Sequence, residues 1–257
     1  MNFDATEVTS PFTQIYSIAQ IKTIRGNYRK NIEKHMEYIE LAAKNNANFI
    51  IFPELSLTGY ERELARAQCF EMEDGRLECF KQASSEYGIV IVAGAPLLLE
   101  DRLYIASWIF TPAMEPQIYT KKFLHPGEEL YFWPSTQYDP SIKMNGEQIS
   151  FAICYDIERD EHVKSAKNRS ADVYAARIFY TQQGIKSGLK RLQHIAKENE
   201  LTVLMSNYVG QCWGEKAGGC SSIWSGNGEL VVSADPHSEC LIVAENSDNV
   251  WSGTIIG

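Results

Sequence analysis

The sequence predicts an α/β fold in a single domain that spans residues 1–257. Short apolar runs typical of buried strands alternate with segments of helical periodicity, which is the pattern of sheets covered by helices. The second half also carries a hairpin signal, Gly226-Asn227-Gly228, between two strand-like runs. No repeat, low-complexity tract or linker interrupts the chain, so one domain is the simplest organisation.

The first half of the chain is predicted to contain strand–helix units followed by a pair of strands. Within residues 27–45, apolar residues from Ile32 to Ala43 recur every three or four positions, as on one face of a helix, and Asn27 is a suitable N-cap. Pro53 ends the apolar run before it, because proline cannot continue a strand ladder. The expected strands are 15–21, 48–52, 89–95, 103–110 and 116–122, the last two antiparallel, and the expected helices are 27–45 and 76–87.

The second half continues the alternation and ends in hairpins. Residues 184–199 carry an apolar stripe from Ile185 to Ala196 and are predicted to form a helix. The expected strands are 149–153, 172–176, 201–207, 221–225, 229–234 and 239–245.

Charge and hydropathy exclude several classes of partner. The formal net charge is -9, and the lysines and arginines are scattered rather than gathered in a stripe, so neither nucleic acid nor an anionic membrane is an expected partner. No apolar segment is long enough to span a bilayer. The first twelve residues are polar and lack the features of a signal peptide, so a cytoplasmic protein is expected.

The cysteine pattern argues against disulfides and against a metal site. The six cysteines form no CxxC pair and show no zinc-ligand spacing with histidine. We therefore expect reduced thiols and neither a metal nor a cofactor. Five of the six are interpreted as small buried hydrophobic residues.

Three reactive side chains follow three predicted strands. Glu54 comes just after one apolar run, Lys121 ends another, and Cys154 ends a third. Each has a structural alternative: an exposed loop acid, a solvated lysine and a core cysteine. Functional groups nevertheless gather at the carboxyl edges of α/β sheets, so the three are predicted to meet.

Together these residue types suit the hydrolysis of an amide through a thioester. A carboxylate such as Glu54 can take the thiol proton and later activate water, and an ammonium group favours the thiolate and stabilises the oxyanion. The backbone N–H of Tyr155 is a second candidate donor to that oxyanion. If the ammonium dominates, alkylation of Cys154 should titrate below the reference pKa of about 8.5.

The order of these motifs resembles the nitrilase superfamily of carbon–nitrogen hydrolases. The stretch IIFPELSLTGYE resembles the family's glutamate segment, YTKKFLHPGEELYF its lysine segment and ICYD its nucleophile segment. Weaker matches follow in LMSNYVG and GGCSSIWSGNGELV, so the likeness runs from about residue 15 to residue 245. It implies a four-layer α-β-β-α sandwich that pairs into a homodimer or a higher homo-oligomer.

The resemblance also implies roles for individual residues. Glu54 is expected to be the general base, Lys121 the oxyanion stabiliser and Cys154 the nucleophile. A second glutamate of the family corresponds best to Glu129, with Glu128 as the adjacent alternative. Lys122 competes with Lys121, but the Tyr-x-Lys pattern favours Lys121.

The chain departs from the family pattern after the nucleophile. Phe123 stands where many members have histidine, and the loop at 157–162 differs from the usual sequence. Tyr155-Asp156 differs from the Trp-Glu of strict nitrile hydrolases, so an amide or N-carbamoyl bond of a small molecule is the expected target.

The residues that would select the substrate are less constrained by the sequence. Arg177 follows a buried strand and is expected to pair either with a substrate carboxylate or with Asp156 or Glu158. The acidic cluster formed by Glu158, Asp160 and Glu161 attracts a cationic amine in one interpretation and is a solvated loop in the other. Aromatic candidates for the pocket wall are Tyr60, Phe179, Tyr180 and Trp213.

Two other functions are compatible with the same residues. A catalytically silent binding or regulatory subunit is expected only if the loop at 157–162 blocks the pocket. The same triad also serves nitrile hydrolysis or acyl transfer to an amine, and hydroxylamine would separate transfer from hydrolysis.

Overall fold

The fold was analysed in a computed structural model that describes residues 13–112, 114–247 and 250–257. The expectation about the polar N-terminus concerns residues outside these ranges. The helices are α1 Tyr28–Lys44, α2 Glu78–Tyr87, α3 Asp160–Asn168 and α4 Ile185–Asn199. The strands are β1 Gln14–Gln20, β2 Phe49–Ile51, β3 Val90–Leu99, β4 Arg102–Thr111, β5 Met114–Thr120, β6 Ser141–Met144, β7 Glu147–Ile153, β8 Val173–Arg177, β9 Thr202–Ser206, β10 Gln211–Cys212, β11 Glu215–Lys216, β12 Ser222–Trp224, β13 Leu230–Ser233, β14 Cys240–Ser247 and β15 Val250–Ile256.

Most of the strands form two mixed sheets. The larger has the order β15-β14-β1-β2-β3-β4-β5, and the smaller has the order β13-β12-β9-β8-β7-β6. In each sheet the three central strands run parallel, β1-β2-β3 in one and β7-β8-β9 in the other. Antiparallel strands extend both sheets on either side, as the predicted hairpins require. A short β10-β11 hairpin stands apart.

Three apolar clusters hold the two sheets and the helices in four layers. One cluster lies between the sheets and includes Phe49 and Ile51 from the larger sheet with Phe151 and Val173 from the smaller. A second joins α1 and α2 to the outer face of the larger sheet, and a third joins α3 and α4 to the smaller. The predicted α/β class and the α-β-β-α sandwich are therefore confirmed.

The helices follow the periodicity of the sequence closely. Asn27 is the N-cap of α1, and its side chain accepts a hydrogen bond from the backbone of Lys30. In α2 the buried face consists of Phe80, Ala83 and Ser84. No helix in the described ranges is long and apolar enough to cross a membrane.

Five elements do not appear in the predicted series: β6, α3, the short strands β10 and β11, and β15. The nine residues of α3 include only two buried apolar side chains, Val163 and Ala166, so helical periodicity is hard to detect there. The exposed edge strand β15 contains Gly253 at its centre and lacks clear alternation. These elements form because the rest of the fold supplies their partners.

Candidate active site

The carboxyl ends of β2, β5 and β7 bring three predicted site residues together. Glu54 lies three residues beyond β2, whereas Lys121 and Cys154 directly follow β5 and β7. Lys121 Nζ lies 2.8 Å from Glu54 Oε1, and the charges of both side chains act on the Cys154 thiol. The larger sheet thus contributes the acid and the ammonium, and the smaller sheet contributes the thiol.

Backbone geometry places Cys154 at a sharp turn out of the sheet. Its φ is +45°, in the left-handed region that residues other than glycine adopt at a cost of about 1–2 kcal/mol. A short 3₁₀ helix, Cys154–Glu158, begins at this point. Residues with strained backbone conformations of this kind occur most often at functional sites.

The carboxylate of Asp156 fixes this turn and ties it to the segment after Lys121. Its Oδ2 accepts hydrogen bonds from Ile153 N at 2.9 Å and from Tyr119 Oη at 2.6 Å. Its Oδ1 accepts from the backbone N–H groups of Lys122 at 3.1 Å and Phe123 at 2.9 Å. One buried carboxylate therefore joins the two strand ends that present Cys154 and Lys121.

The two oxygens of Glu54 have different surroundings. Oε1 accepts a hydrogen bond from Lys121, whereas Oε2 is buried and accepts none from the described residues. Burial raises the pKa of Glu54 to about 7, although the ammonium of Lys121 and the thiol of Cys154 oppose the rise. Near neutral pH this carboxylate is poised between accepting and releasing a proton.

The second glutamate of the site is Glu128, and the prediction of Glu129 is wrong. Glu128 is fully buried and its Oε1 lies 2.8 Å from Lys121 Nζ. Burial alone would raise the pKa of Glu128, but Lys121 and hydrogen bonds from Lys121 and Tyr60 hold it below its usual range. Glu129 is exposed and accepts a hydrogen bond from the backbone of Gly127 instead.

The two carboxylates keep Lys121 protonated. Burial by itself would lower the pKa of Lys121, but the negative charges of Glu54 and Glu128 outweigh that effect and raise it. Lys122, the competing lysine, pairs with Asp139 outside this cluster. Lys121 is thus the ammonium group of the site.

The surroundings of the Cys154 thiol raise its pKa, which is the opposite of the shift expected if the charge of Lys121 dominated. Burial raises its pKa well above the usual value, and the nearby carboxylate of Glu54 raises it further. Lys121 lowers the pKa, but its charge is shared between two carboxylates. Attack by this sulfur therefore requires a base that removes the proton.

Aromatic side chains surround the cluster. Tyr60 donates a 2.6 Å hydrogen bond from Oη to Glu128 Oε1, and its ring centroid lies 5.1 Å from that of Phe179. The carbonyl oxygen of Phe179 lies 4.0 Å from Cys154 Sγ. The ring of Trp213 meets that of Tyr60 edge-on at 6.3 Å. Tyr60 and Phe179 thus border the cluster, and Trp213 packs behind Tyr60. Tyr180 is also close enough to Cys154 for the two groups to interact electrostatically, and it donates a hydrogen bond from its hydroxyl to exposed Glu158.

Arg177 does not face the site, and its predicted role in substrate binding is wrong. Its side chain is fully buried between the sheets, where Nε donates to the carbonyl of Phe52 and Nη2 to that of Pro53, both at 2.8 Å. Nη1 bonds to the hydroxyl of Ser107. The proposed pairing with Asp156 or Glu158 is wrong as well, because every donor group faces the larger sheet.

The acidic cluster is not gathered around the site. Asp160 lies 2.6 Å from Arg191 and Glu161 pairs with Arg159, both in the first turn of α3. The segment 157–162 thus packs towards the helical layer, where Ile157 joins the outer cluster. Acidic residues in a first helical turn are favoured by the helix dipole.

Tyr155 occupies the second position of the 3₁₀ helix, and its ring packs edge-on against His125 at 5.5 Å. Backbone N–H groups in a first helical turn lack acceptors within the helix and are available to a ligand. No group of three or more potential metal-ligating side chains occurs within the described ranges.

The prediction from sequence missed two residues of the site. The sequence alone singled out Asp156 only within Tyr155-Asp156 and as a partner of Arg177, although its position two residues after Cys154 at a turn favours an aspartate that binds backbone N–H groups. Arg62 was not singled out, yet its Nε donates a 2.9 Å hydrogen bond to Tyr60 Oη. No local pattern marked it, because it belongs to an irregular segment of short 3₁₀ turns.

Comparison with known proteins agrees with this geometry. Residues 17–252 match the carbon–nitrogen hydrolase family, and the chain belongs to that family. An (R)-stereoselective amidase of Pseudomonas sp. is 25% identical over 228 residues, which cover 88% of this chain and 79% of the relative. A 2-oxoglutaramate amidase of Bacillus subtilis strain 168 is 29% identical over 164 residues, which cover 61% of each chain.

Solved structures share the fold at lower identity. An amidase from Nesterenkonia sp. AN1 in complex with butyramide matches with a TM-score of 0.84 at 21% identity, covering 92% of both chains. A second structure of that amidase, with a TM-score of 0.84, 22% identity and 91% coverage of both chains, shows covalent addition of the acetamide moiety of fluoroacetamide at the active-site cysteine. The resemblance to the nitrilase superfamily is confirmed, and the chain is a hydrolase of carbon–nitrogen bonds.

Proposed function

We propose that this hydrolase cleaves small-molecule amides with Cys154 as nucleophile, Glu54 as general base and Lys121 as oxyanion stabiliser. The observation that carries the proposal is the asymmetry of Glu54. One oxygen is held by Lys121, and the other is buried with no hydrogen-bond partner among the described residues. A carboxylate with a pKa of about 7 in that position is suited to proton transfer at neutral pH.

In the first half of the reaction, Glu54 removes the thiol proton as Cys154 Sγ attacks the amide carbon. The new carbon–sulfur bond converts the carbonyl oxygen into an oxyanion, which Lys121 Nζ and the backbone N–H of Tyr155 stabilise. Glu54 returns its proton to the amide nitrogen. The carbon–nitrogen bond then breaks, and ammonia or an amine leaves a thioester on Cys154.

In the second half, Glu54 removes a proton from water as the water oxygen attacks the thioester carbon. Lys121 and Tyr155 stabilise the second oxyanion in the same place. The carbon–sulfur bond breaks, Glu54 protonates the departing sulfur, and the acid is released. Glu128 holds Lys121 together with Glu54 and is a positioning residue in this scheme.

Ammonia release tests this assignment. The panel consists of aliphatic amides, ω-amides of dicarboxylic acids, N-carbamoyl amino acids and nitriles, each with wild type and Cys154→Ala. We expect release from amides or N-carbamoyl compounds by wild type alone. A mass increase of Cys154 with the acyl group, trapped by acid quench, is expected for the thioester. Equal release by both proteins would overturn the assignment of the nucleophile.

We also infer that this is one catalytic domain working in the cytoplasm as a homodimer or a higher homo-oligomer. Six unpaired cysteines are consistent with a reducing compartment. Exposed apolar side chains such as Leu130 and Trp133 are consistent with a contact between copies. Light scattering tests the oligomer, and a monomer mass at micromolar concentration would refute it.

A further inference from the structure

One buried arginine beside the proposed active site has no anionic partner among the described residues. Arg62 is only 6% exposed, and Nε is the one guanidinium nitrogen with a hydrogen bond in the described ranges, to Tyr60 Oη. Its carbon Cζ lies 4.0 Å from the ring centroid of Trp213 and 5.0 Å from that of Tyr60. A guanidinium held between two rings is fixed in orientation.

The acidic neighbours of Arg62 in sequence are bound elsewhere. Glu61 lies 2.9 Å from Arg25 and also accepts a hydrogen bond from the backbone of Trp213. Glu63 accepts a 2.9 Å hydrogen bond from the indole of Trp213. The terminal nitrogens Nη1 and Nη2 of Arg62 thus have no carboxylate partner among the described residues.

The position of Arg62 relative to the reacting groups is defined by a chain of hydrogen bonds. Lys121 Nζ lies 2.8 Å from Glu128 Oε1, Glu128 Oε1 lies 2.6 Å from Tyr60 Oη, and Tyr60 Oη lies 2.9 Å from Arg62 Nε. Arg62 Nε is thus only three hydrogen bonds away from Lys121 Nζ, which is close enough for one small molecule to contact both groups.

We propose that Arg62 binds the distal carboxylate of the substrate, so that the preferred substrates are ω-monoamides of short dicarboxylic acids. This inference rests on the proposed function. Nη1 and Nη2 donate to the two carboxylate oxygens in the bidentate arrangement that arginine favours. The amide end of the same molecule then lies at Cys154. Neutral amides of equal length leave this buried guanidinium unpaired and bind less well.

Two nearly identical amides test the inference: succinamate, which carries a carboxylate, and succinamide, which carries a neutral amide in its place. With wild type we expect kcat/KM to favour succinamate by about 10- to 100-fold, the value of a charge-assisted pair. With Arg62→Leu the preference should disappear, mainly through a higher KM for succinamate. Arg62→Lys keeps the charge but not the planar guanidinium, so it should retain part of the preference for succinamate. It also serves as a second variant in case the leucine variant misfolds.

A matched control is Arg29→Leu, because Arg29 also lies over an aromatic ring, that of Tyr28, but on the exposed side of α1. It should leave the succinamate preference at the wild-type value. Equal losses for both amides in Arg62→Leu would make Arg62 a positioning residue for Tyr60 and would overturn the inference.

Calorimetric binding to Cys154→Ala separates failure of the inference from failure of the proposed function. This variant should bind succinamate at least ten-fold more tightly than succinamide, and Arg62→Leu in the same background should abolish the difference. Hydrolysis of both amides at similar kcat/KM by wild type, with equal binding, overturns the inference and leaves the proposed function intact. Absence of hydrolysis by wild type overturns the proposed function, while the binding comparison still decides the role of Arg62.

Discussion

Arg177 Nη2 lies 2.8 Å from the carbonyl oxygen of Pro53, so that a residue of the smaller sheet holds the backbone directly before Glu54 in the larger sheet. Nε holds the preceding carbonyl in the same way. Gly94 leaves the room for this contact, because a Cβ atom there would clash with Nη2. Arg177 therefore holds the backbone directly before Glu54 from the smaller sheet.

Arg177→Met is expected to lower kcat at least ten-fold and the free energy of unfolding by about 2–4 kcal/mol, because buried carbonyls lose their donors. Arg177→Lys keeps one donor group, so its kcat and its free energy of unfolding should lie between those of wild type and Arg177→Met. The losses should be equal for succinamate and succinamide, unlike those of Arg62→Leu. Urea unfolding and steady-state kinetics measure both effects, and a selective loss for succinamate would return Arg177 to substrate binding.

Lys121→Met is expected to reduce kcat by about 100-fold or more, since it removes the donor to the oxyanion and leaves two buried carboxylates without their cation. Lys122→Met is the matched control, because its ammonium pairs with Asp139 away from the cluster. It should retain kcat within about three-fold, because this largely buried pair includes neither Lys121 nor Glu54. The opposite order of the two variants in an ammonia-release assay would exclude Lys121 from the reaction.

Glu128→Gln is expected to lower kcat by about ten-fold or more, because Lys121 loses one of its two anionic partners and turns towards Glu54. Glu129→Gln changes an exposed side chain and should leave kcat within about two-fold. The pair is measured on one neutral amide so that binding of the distal group does not enter. Similar kcat values for both variants would show that the buried contact has no catalytic consequence.

The activity should depend on the ionisation of Glu54. Its pKa is raised to about 7, and only the ionised form can accept the thiol proton, so kcat/KM falls as the pH decreases through that value. Glu128 has its pKa below the usual range and stays ionised over this interval. The measurement is kcat/KM for a neutral amide from pH 5.5 to 8.5. A flat profile would mean that another group is the base.

Replacement of the nucleophile by glycine should relieve backbone strain. The φ of Cys154 is +45°, which glycine adopts readily and alanine does not. Cys154→Gly is therefore expected to be more stable than Cys154→Ala by about 1 kcal/mol in urea unfolding, with neither variant active. An alanine variant of equal or greater stability would show that the turn is not strained.

The order of most strands and helices could be predicted because buried apolar residues recur with the period of the element that contains them. The same apolar runs predicted the positions of Glu54, Lys121 and Cys154, since each of these residues stands where a run ends. The choice between Glu128 and Glu129 could not be predicted, because they follow Gly127 at φ +91° in a short 3₁₀ turn without periodicity.

Arg177 shows the other limit of prediction from one chain segment. The sequence places it at the end of a buried strand, but the element it faces is the opposing sheet, and local pattern contains no information on that packing. Arg62 was missed for the same reason. Its partners Tyr60 and Trp213 come together only after the short β10-β11 hairpin region has folded over the site.

The division of the site between two sheets has a consequence for the protein during its synthesis. Strands β14 and β1 are neighbours in the larger sheet, so that sheet cannot be completed until residues 240–247 have left the ribosome. Before that time the acid and the ammonium group are not held beside Cys154 by a completed larger sheet, so the site we propose is not assembled. Turnover of substrate therefore reports that both halves of the molecule have been made and joined.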